Sequence, residues 1–369
     1  MTSSIGTHSG STPMVIRFGR LGDMVLQAPL LNLLHRRYGK PCKLFTRGSW
    51  PAQIYAQHPD VGEVRQLIRR HTPVCISPER WRMIGALRRH DGPIYVSEDT
   101  QKSLRRIRGL LRLAGIAPER CVFVNDCFRS NDEHWVDQLL RFGKTTPSAY
   151  LDKVADCTDG DLQWAPQLYL NDDDRRDVAA WMQRRQLTDA PLVLFQPGNW
   201  KAKKWWRDAA VDPKAWPIDH WASLLRAIHS DLPAANLVLC GSPVESAFLE
   251  TIRSTASLAC VHVAANDLPI RRLLALLERA HSMVSVDTGP AHFAAAMGCP
   301  LVILYGSYSP ARWDRRSPVG APVVNLGGPP QNRHVSDIPV EAVIQAWRTV
   351  RTNDLRSDHC AALRRVDNH

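Results

Sequence analysis

The stretch "MVSVDTGPAHFAAAMGCPLVILYGS", residues 283–307, holds two apolar runs separated by a turn and a short Ala-rich segment. Met283, Val284 and Val286 read as a buried strand that Asp287-Thr288-Gly289 breaks, and Pro290 suits the first turn of a helix that Gly298 and Pro300 stop. The run "PLVILYGS" (300–307) then reads as a second strand, so the unit is β-α-β and its sheet is parallel. A strand that passes straight into a helix leaves backbone N–H groups and the positive helix end facing the same space. Such a corner suits an anion, and phosphate is the usual one.

The same logic recurs outward from this unit. "PLVLFQPG" (191–198), "NLVLCGS" (236–242) and "CVHVAA" (260–265) are short apolar runs, each followed by a turn signal and a helical pattern. In the first half "MVIRF" (14–18) leads through a Gly-containing turn into the helix "MVLQAPLLNLLHRRYG" (24–39), which ends on a basic turn and Gly39; "CKLFT" (42–46) and "PIYVS" (93–97) follow. Alternation of this kind predicts an α/β protein built from two Rossmann-like units in tandem. The boundary falls near residue 170, where "LNDDDRRDVAAWMQRRQL" (170–187) opens a helix with Asp residues. The expected division is a flexible tail (1–13), a first domain (14–170), a second (171–337) and a C-terminal helix and tail (338–369) that packs back across the junction.

A chain of 369 residues has room for two domains with cores of their own. No apolar run approaches the roughly 20 residues needed to span a bilayer, and the start "MTSSIGTHSGSTP" lacks the basic and apolar regions of a signal peptide. A cytoplasmic protein is therefore expected. Nine cysteines, odd in number and never in C-x-x-C spacing, indicate neither a disulfide framework nor a zinc site.

The net charge of +11 is unevenly spread. Residues 1–170 carry 24 Lys+Arg against 16 Asp+Glu, and residues 62–120 alone carry 13 against 6, including Arg69-Arg70, Arg88-Arg89, Arg105-Arg106, Arg108 and Arg112. A solvated helix face accounts for any one of these arginines. Together they predict an anionic partner for the first half: nucleic acid, an anionic membrane surface or an acidic glycolipid.

Three turns carry candidate chemistry. "RFGRLGDMVLQAP" (17–29) places Gly19, Gly22 and Asp23 between strand and helix; it is G-x-x-G-D, so the dinucleotide fingerprint is not met. Asp23 is either the N-cap of the helix or a cleft-edge carboxylate able to act as a general base. "LCGSPVESAFLETI" (239–252) forms a capping box from Ser242 to Glu245 with Pro243 at the first helical position, and the same Glu245 carboxylate could hold two vicinal hydroxyls of a ribose. The third is the opening turn. Its Asp-Thr-Gly also resembles an aspartic protease turn, but a protease needs two such carboxylates in an all-β setting, and here one copy sits in a βα setting. His292, four residues after Thr288, either donates to a phosphate or is a partly buried structural histidine. The loop "PGNWKAKKWWRDAAVDPKAWPIDHW" (197–221) brings Lys201, Lys203, Lys204 and Lys214, which either close over a ligand or are solvated.

In order and spacing, "MVIRFGRLGDMVLQAPLLNLLHRRYG" (14–39), "FQPGNW" (195–200) with "KAWPIDHW" (214–221), "CGSPVES" (240–246) and "VDTGPAHFAAAMGCPLVILYGS" (286–307) resemble the lipopolysaccharide heptosyltransferases of glycosyltransferase family 9. The resemblance spans residues 15–310 and implies a GT-B fold: two facing Rossmann-like domains with parallel sheets, the acceptor held by the first and the nucleotide-sugar by the second. It also implies inverting transfer of heptose from ADP-L-glycero-D-manno-heptose to a lipopolysaccharide core or related glycan, with no metal and no cofactor beyond the donor substrate. Carried over residue by residue, Asp23 matches the catalytic carboxylate that deprotonates the acceptor hydroxyl, and Lys214, in K-x-W-P, the cation that neutralises the departing diphosphate. Asp287, Thr288, Gly289 and His292 match the diphosphate-binding turn, Glu245 the residue that grips the ribose, and Gly22 joins the donor-binding set. Arg105, Arg106 and Arg108 are expected to meet an acceptor bearing phosphates or acidic sugars. The implied partners are a nucleotide-sugar and an anionic glycolipid, with peripheral contact at the inner leaflet of the cytoplasmic membrane and no nucleic acid. The sequence departs from the family's pattern at Gln196, where many members carry His, in the long loop 201–213, and beyond residue 310. Alternatives are a different nucleotide-sugar donor, a protein or capsule acceptor, or a nucleotide- or glycolipid-binding protein without catalysis. A binding module would need neither a base at Asp23 nor a cation at Lys214.

Overall fold

Strand β1 (Met14–Arg17) is buried at all four positions, as expected where helices cover both faces of a parallel sheet. The computed structural model describes residues 11–68, 77–127, 129–130, 132–187, 190–199 and 212–351. It divides the chain into two units, Met1–Tyr169 and Leu170–His369. Residues 1–10 of the expected tail, Arg69 and Arg70, Lys201 to Lys204, and the end from 352 lie outside the described residues.

In the first unit β1 lies beside β2 (Cys42–Arg47) and β4 (Ile94–Val96), with β3 (Val61–Leu67) and β5 (Cys121–Phe123) at the edges; the order is β3-β2-β1-β4-β5 and every pairing is parallel. One face buries Met14, Ile16, Phe45 and Ile94 against Met83, Ile84 and Leu87 of helix Pro78–Arg88 and Leu104 and Ile107 of helix Gln101–Leu113. On the other face helices Ala28–Tyr38 and Trp135–Lys144 approach so closely that a Cβ on Gly143 would lie 2.7 Å from Leu30. The single helix expected over 24–39 is two, Leu21–Val25 and Ala28–Tyr38. The break is chemical: Pro29 has no N–H to donate to the carbonyl of Val25, and its ring would clash there.

The second unit has six parallel strands, β6 (Leu192–Gln196), β7 (Asn236–Cys240), β8 (Val261–Ala264), β9 (Ser282–Val286), β10 (Leu301–Tyr305) and β11 (Val323–Gly327), in the order β11-β10-β9-β6-β7-β8. Its larger core packs Val193, Phe195, Leu237, Val284 and Val302 against Trp221 and Leu225 of helix Ile218–Asp231, Leu249 of helix Ser246–Ala256 and Trp347 of helix Val340–Arg351. The apolar positions of that last helix are filled within this unit's core: Val343, Trp347 and Val350 are fully buried, and the Trp347 indole donates to Ser282 Oγ at 2.9 Å. Helix Asp172–Arg184 opens as its acidic start predicts, with Asn171 Oδ1 accepting from the Asp174 N–H at 2.9 Å.

Sequence order reverses once in each sheet. In the first unit this happens at β1, flanked by β2 and β4; in the second at β6, flanked by β7 and β9. Ligands of open α/β sheets bind beyond the carboxyl ends of strands at such switch points. Every candidate turn lies at or next to one of them.

Candidate active site

At the first switch point Arg17 ends β1 with its side chain buried. A charge there needs partners, and it has several. Nη1 donates to the Ser97 carbonyl at 2.5 Å and to Asp99 Oδ1 at 3.0 Å, Nη2 lies 3.3 Å from Asp23 Oδ1, and Glu98 stands 3.9 Å away. Burial alone would lower the Arg17 pKa, but Asp23, Asp99 and Glu98 outweigh it and hold the guanidinium above its ordinary value. Asp23 is not the N-cap. It is the third residue of helix Leu21–Val25, where its Oδ2 accepts from the Arg20 N–H at 2.7 Å, and its side chain is 22% exposed. The carboxylate is thus held at both oxygens and still reaches solvent. The turn needs Gly19: a Cβ there would lie 2.6 Å from Asp23 Cβ and 2.7 Å from Arg17 Nε. Gly22 precedes Asp23 in the same helix.

The second switch point gathers most of the other candidates. Asp287 follows β9, its N–H bonded to the Leu304 carbonyl of β10 at 3.0 Å, and its buried carboxylate bridges two cations. Lys214 Nζ donates to Oδ2 at 2.6 Å and to the Asp287 carbonyl at 2.7 Å; Arg315 Nη2 donates to Oδ1. Burial would raise the carboxyl pKa, but Arg315 and Lys214 together drive it far below the ordinary value. Thr288 is the N-cap of helix Gly289–Ala296, and His292 is that helix's fourth residue, largely buried. Lys214 is fixed from its own loop, where Asp212 accepts the Lys214 N–H at 3.1 Å and the Asn199 amide at 2.8 Å.

Glu245 lies after β7, next to β6 in the sheet. Its Oε2 accepts from the Ser242 N–H at 2.8 Å and the Ser242 hydroxyl at 2.6 Å, the capping box read from the sequence. Its Oε1 is buried with no hydrogen-bond partner among the described residues and faces Gly198, whose Cβ, if present, would lie 2.1 Å away. Burial raises the carboxyl pKa and the Ser242 bonds lower it, with burial dominant. A half-satisfied buried carboxylate beside a glycine is a ready acceptor for a ligand donor. No cluster of three or more His, Cys, Asp or Glu able to hold a metal ion occurs among the described residues.

The family model of glycosyltransferase family 9 (heptosyltransferase) matches residues 148–337, just over half of the chain. The chain belongs to this family. Its relatives include lipopolysaccharide heptosyltransferase 2 of Escherichia coli K12, 25% identical over 307 residues that cover 80% of this chain and 83% of the relative, and that of Salmonella typhimurium, 24% identical over 306 residues with the same coverage. The family 9 glycosyl transferase of Veillonella parvula superposes with a TM-score of 0.72 at 17% identity, covering 93% of this chain and 98% of the other. E. coli ADP-heptose lipopolysaccharide heptosyltransferase II gives 0.68 at 20% identity, with coverage of 93% and 99%. The fold is therefore GT-B and the protein a glycosyltransferase.

In this family 9 enzyme Lys214 meets Asp287 at one switch point, Thr288, Gly289 and His292 follow in the cap and first turn of the next helix, and Glu245 stands one strand along. Arg105, Arg106 and Arg108 lie on the exposed side of helix Gln101–Leu113, with the Arg108 guanidinium 4.9 Å over the Phe123 ring. Sequence reasoning missed Arg17, Glu98, Asp99 and Arg315. Arg17 carried a signal, being a charge at the end of an otherwise apolar strand. Arg315 carried none, because it sits in an irregular segment after β10 with no motif around it.

Proposed function

We propose that this glycosyltransferase transfers heptose from ADP-L-glycero-D-manno-heptose to a lipopolysaccharide core or related glycan, with inversion and without a metal ion. The observation that carries the reading is the pair of cations, Lys214 and Arg315, on one carboxylate beside the N-terminus of helix Gly289–Ala296, at the switch point where a diphosphate binds in such folds. Further support comes from E. coli heptosyltransferase WaaC, solved with ADP and with ADP-2-deoxy-2-fluoro heptose. In the proposed reaction Asp23 takes the proton of the acceptor hydroxyl. The acceptor oxygen bonds to the anomeric carbon from the face opposite the donor phosphate, the carbon–phosphate-oxygen bond breaks, and ADP leaves with the electron pair. Arg17 and the Arg20 N–H hold the Asp23 carboxyl group in place. Lys214 neutralises the departing diphosphate, the work a metal does in other transferases. Thr288, Gly289 and His292 line the diphosphate, Glu245 takes the ribose hydroxyls, and Gly22 joins the donor-binding set. The exposed arginines Arg105, Arg106 and Arg108 face an acidic acceptor and the inner leaflet of the cytoplasmic membrane; no helix among the described residues is long and apolar enough to cross it.

The test is transfer in EDTA from ADP-heptose to a core-oligosaccharide acceptor, with the product's anomeric configuration read by NMR. Asp23→Asn should lower turnover by about 10²- to 10⁴-fold with ADP affinity kept. Unchanged turnover, or transfer only from another nucleotide-sugar, overturns the assignment.

A further inference from the structure

Arg315 has no counterpart among the residues expected at this site, yet it is one of the most completely buried charges in the chain, 3% exposed. It is fixed to the sheet on three sides. Nη1 donates to the Tyr305 hydroxyl at 2.5 Å and to the Trp313 carbonyl at 2.6 Å, and Nη2 to Asp287; the Tyr305 hydroxyl itself donates to the Trp313 carbonyl at 3.0 Å. Tyr305 ends β10, the strand that also binds the Asp287 N–H. Held in this way, Arg315 cannot swing out to touch a ligand. Lys214 can, since its side chain is 23% exposed and Asp287 engages two of its three N–H donors.

Count the charges: Asp287 contributes one negative, Lys214 and Arg315 one positive each. Without Arg315 the Lys214–Asp287 pair would be neutral and would offer an anion little. We infer that Arg315 is a positioning residue of the donor site, which takes up the charge of Asp287 from the buried side so that Lys214 keeps a full positive charge for the diphosphate. The inference rests on the donor reading of the β9 turn. It assigns Asp287 the role of an anchor between two cations, one structural and one facing the ligand, in place of a direct phosphate ligand.

The experiment is calorimetric titration of ADP in EDTA against the wild type, Arg315→Met, Arg315→Lys, Asp287→Asn and the double variant Arg315→Met/Asp287→Asn, with thermal unfolding as the check on folding. Net site charges are +1, 0, +1, +2 and +1 in that order. Arg315→Met should weaken ADP binding by about ten- to a hundredfold, the size expected for one charge at short range in a partly screened site. Arg315→Lys should restore most of it. The double variant should bind within a few-fold of the wild type although it carries both substitutions, because Asn leaves Lys214 uncancelled. A structural role alone predicts the reverse, with the double variant no better than Arg315→Met; that result, or Arg315→Met binding as tightly as the wild type, overturns the inference. Should Arg315→Met fail to fold, Asp287→Asn against the double variant decides: ADP binding within a few-fold of each other supports the inference, since Arg315 acts only through Asp287, and a loss of ten- to a hundredfold in the double variant refutes it. A wild type that binds neither ADP nor UDP fails at an earlier step and removes the donor reading itself.

Discussion

Substituting Gly198 by Ala tests whether Glu245 is held as rigidly as its contacts imply. The new Cβ would stand 2.1 Å from Glu245 Oε1 and 3.1 Å from its Cδ, so one of the two must move. Rotating the carboxylate breaks the 2.8 and 2.6 Å bonds from Ser242, and Glu245 is otherwise buried. Hydrogen bonds to a charged group contribute about 1.5–3 kcal/mol each, and hydration returns part of that if Glu245 swings out, so the net cost is roughly 2–4 kcal/mol. For a unit of this size, at about 2–4 °C per kcal/mol, the melting temperature falls by roughly 4–16 °C. Scanning calorimetry of Gly198→Ala, Glu245→Ala and the double variant separates this cause from any other. If the collision is with Glu245, Gly198→Ala costs much less once Glu245 is truncated, and the two effects are not additive. Wild-type melting of the single variant, or strict additivity in the cycle, would refute the rigid-carboxylate reading.

Gly109, inside helix Gln101–Leu113 with nothing within 4 Å of an added Cβ, should gain about 0.5–1 kcal/mol of stability on substitution by Ala, read by urea unfolding; a loss would mean that face is covered. Trp347→Ala should cost about 3–5 kcal/mol, since the ring is fully buried and bonded to Ser282; a change under about 1 kcal/mol would show that the last helix is dispensable to the second unit. Asp287 sets an acid limb. Its folded pKa lies below the unfolded one, so its ion pairs contribute stability above the ordinary carboxyl value of 3.8 that is lost as pH falls through and below it. The stability gap between wild type and Asp287→Asn should therefore narrow below about pH 4, at up to about 1.4 kcal/mol per pH unit; a gap independent of pH from 7 to 3 would show that the carboxylate is not paired.

The turns were legible because their residue types have few local uses. Asp-Thr-Gly-Pro after an apolar run, or Ser-Pro-x-Glu after another, specifies strand, cap and helix start within a few residues. Strands β3, β5 and β11 were not read: "VGEVRQL" mixes charges into a half-buried edge, "CVF" is too short to show a period, and "VVNLG" is partly exposed throughout. The split of the first long helix was written in Pro29 but masked by the strong apolar pattern on either side. Long-range charge partners were the least legible. Arg17 meets Asp99 across 82 residues and Arg315 meets Asp287 across 28, and nothing in local spacing says which carboxylate a buried guanidinium will find. The sheet order decides that, by placing β4 beside β1 and β10 beside β9.

The most direct test is titration of the wild-type protein with ADP and with UDP in the presence of EDTA. ADP should bind without any metal and more tightly than UDP, with Lys214 and the β9 turn taking the diphosphate. Binding of neither nucleotide, or binding that appears only when a divalent cation is restored, would contradict a metal-free ADP-sugar site.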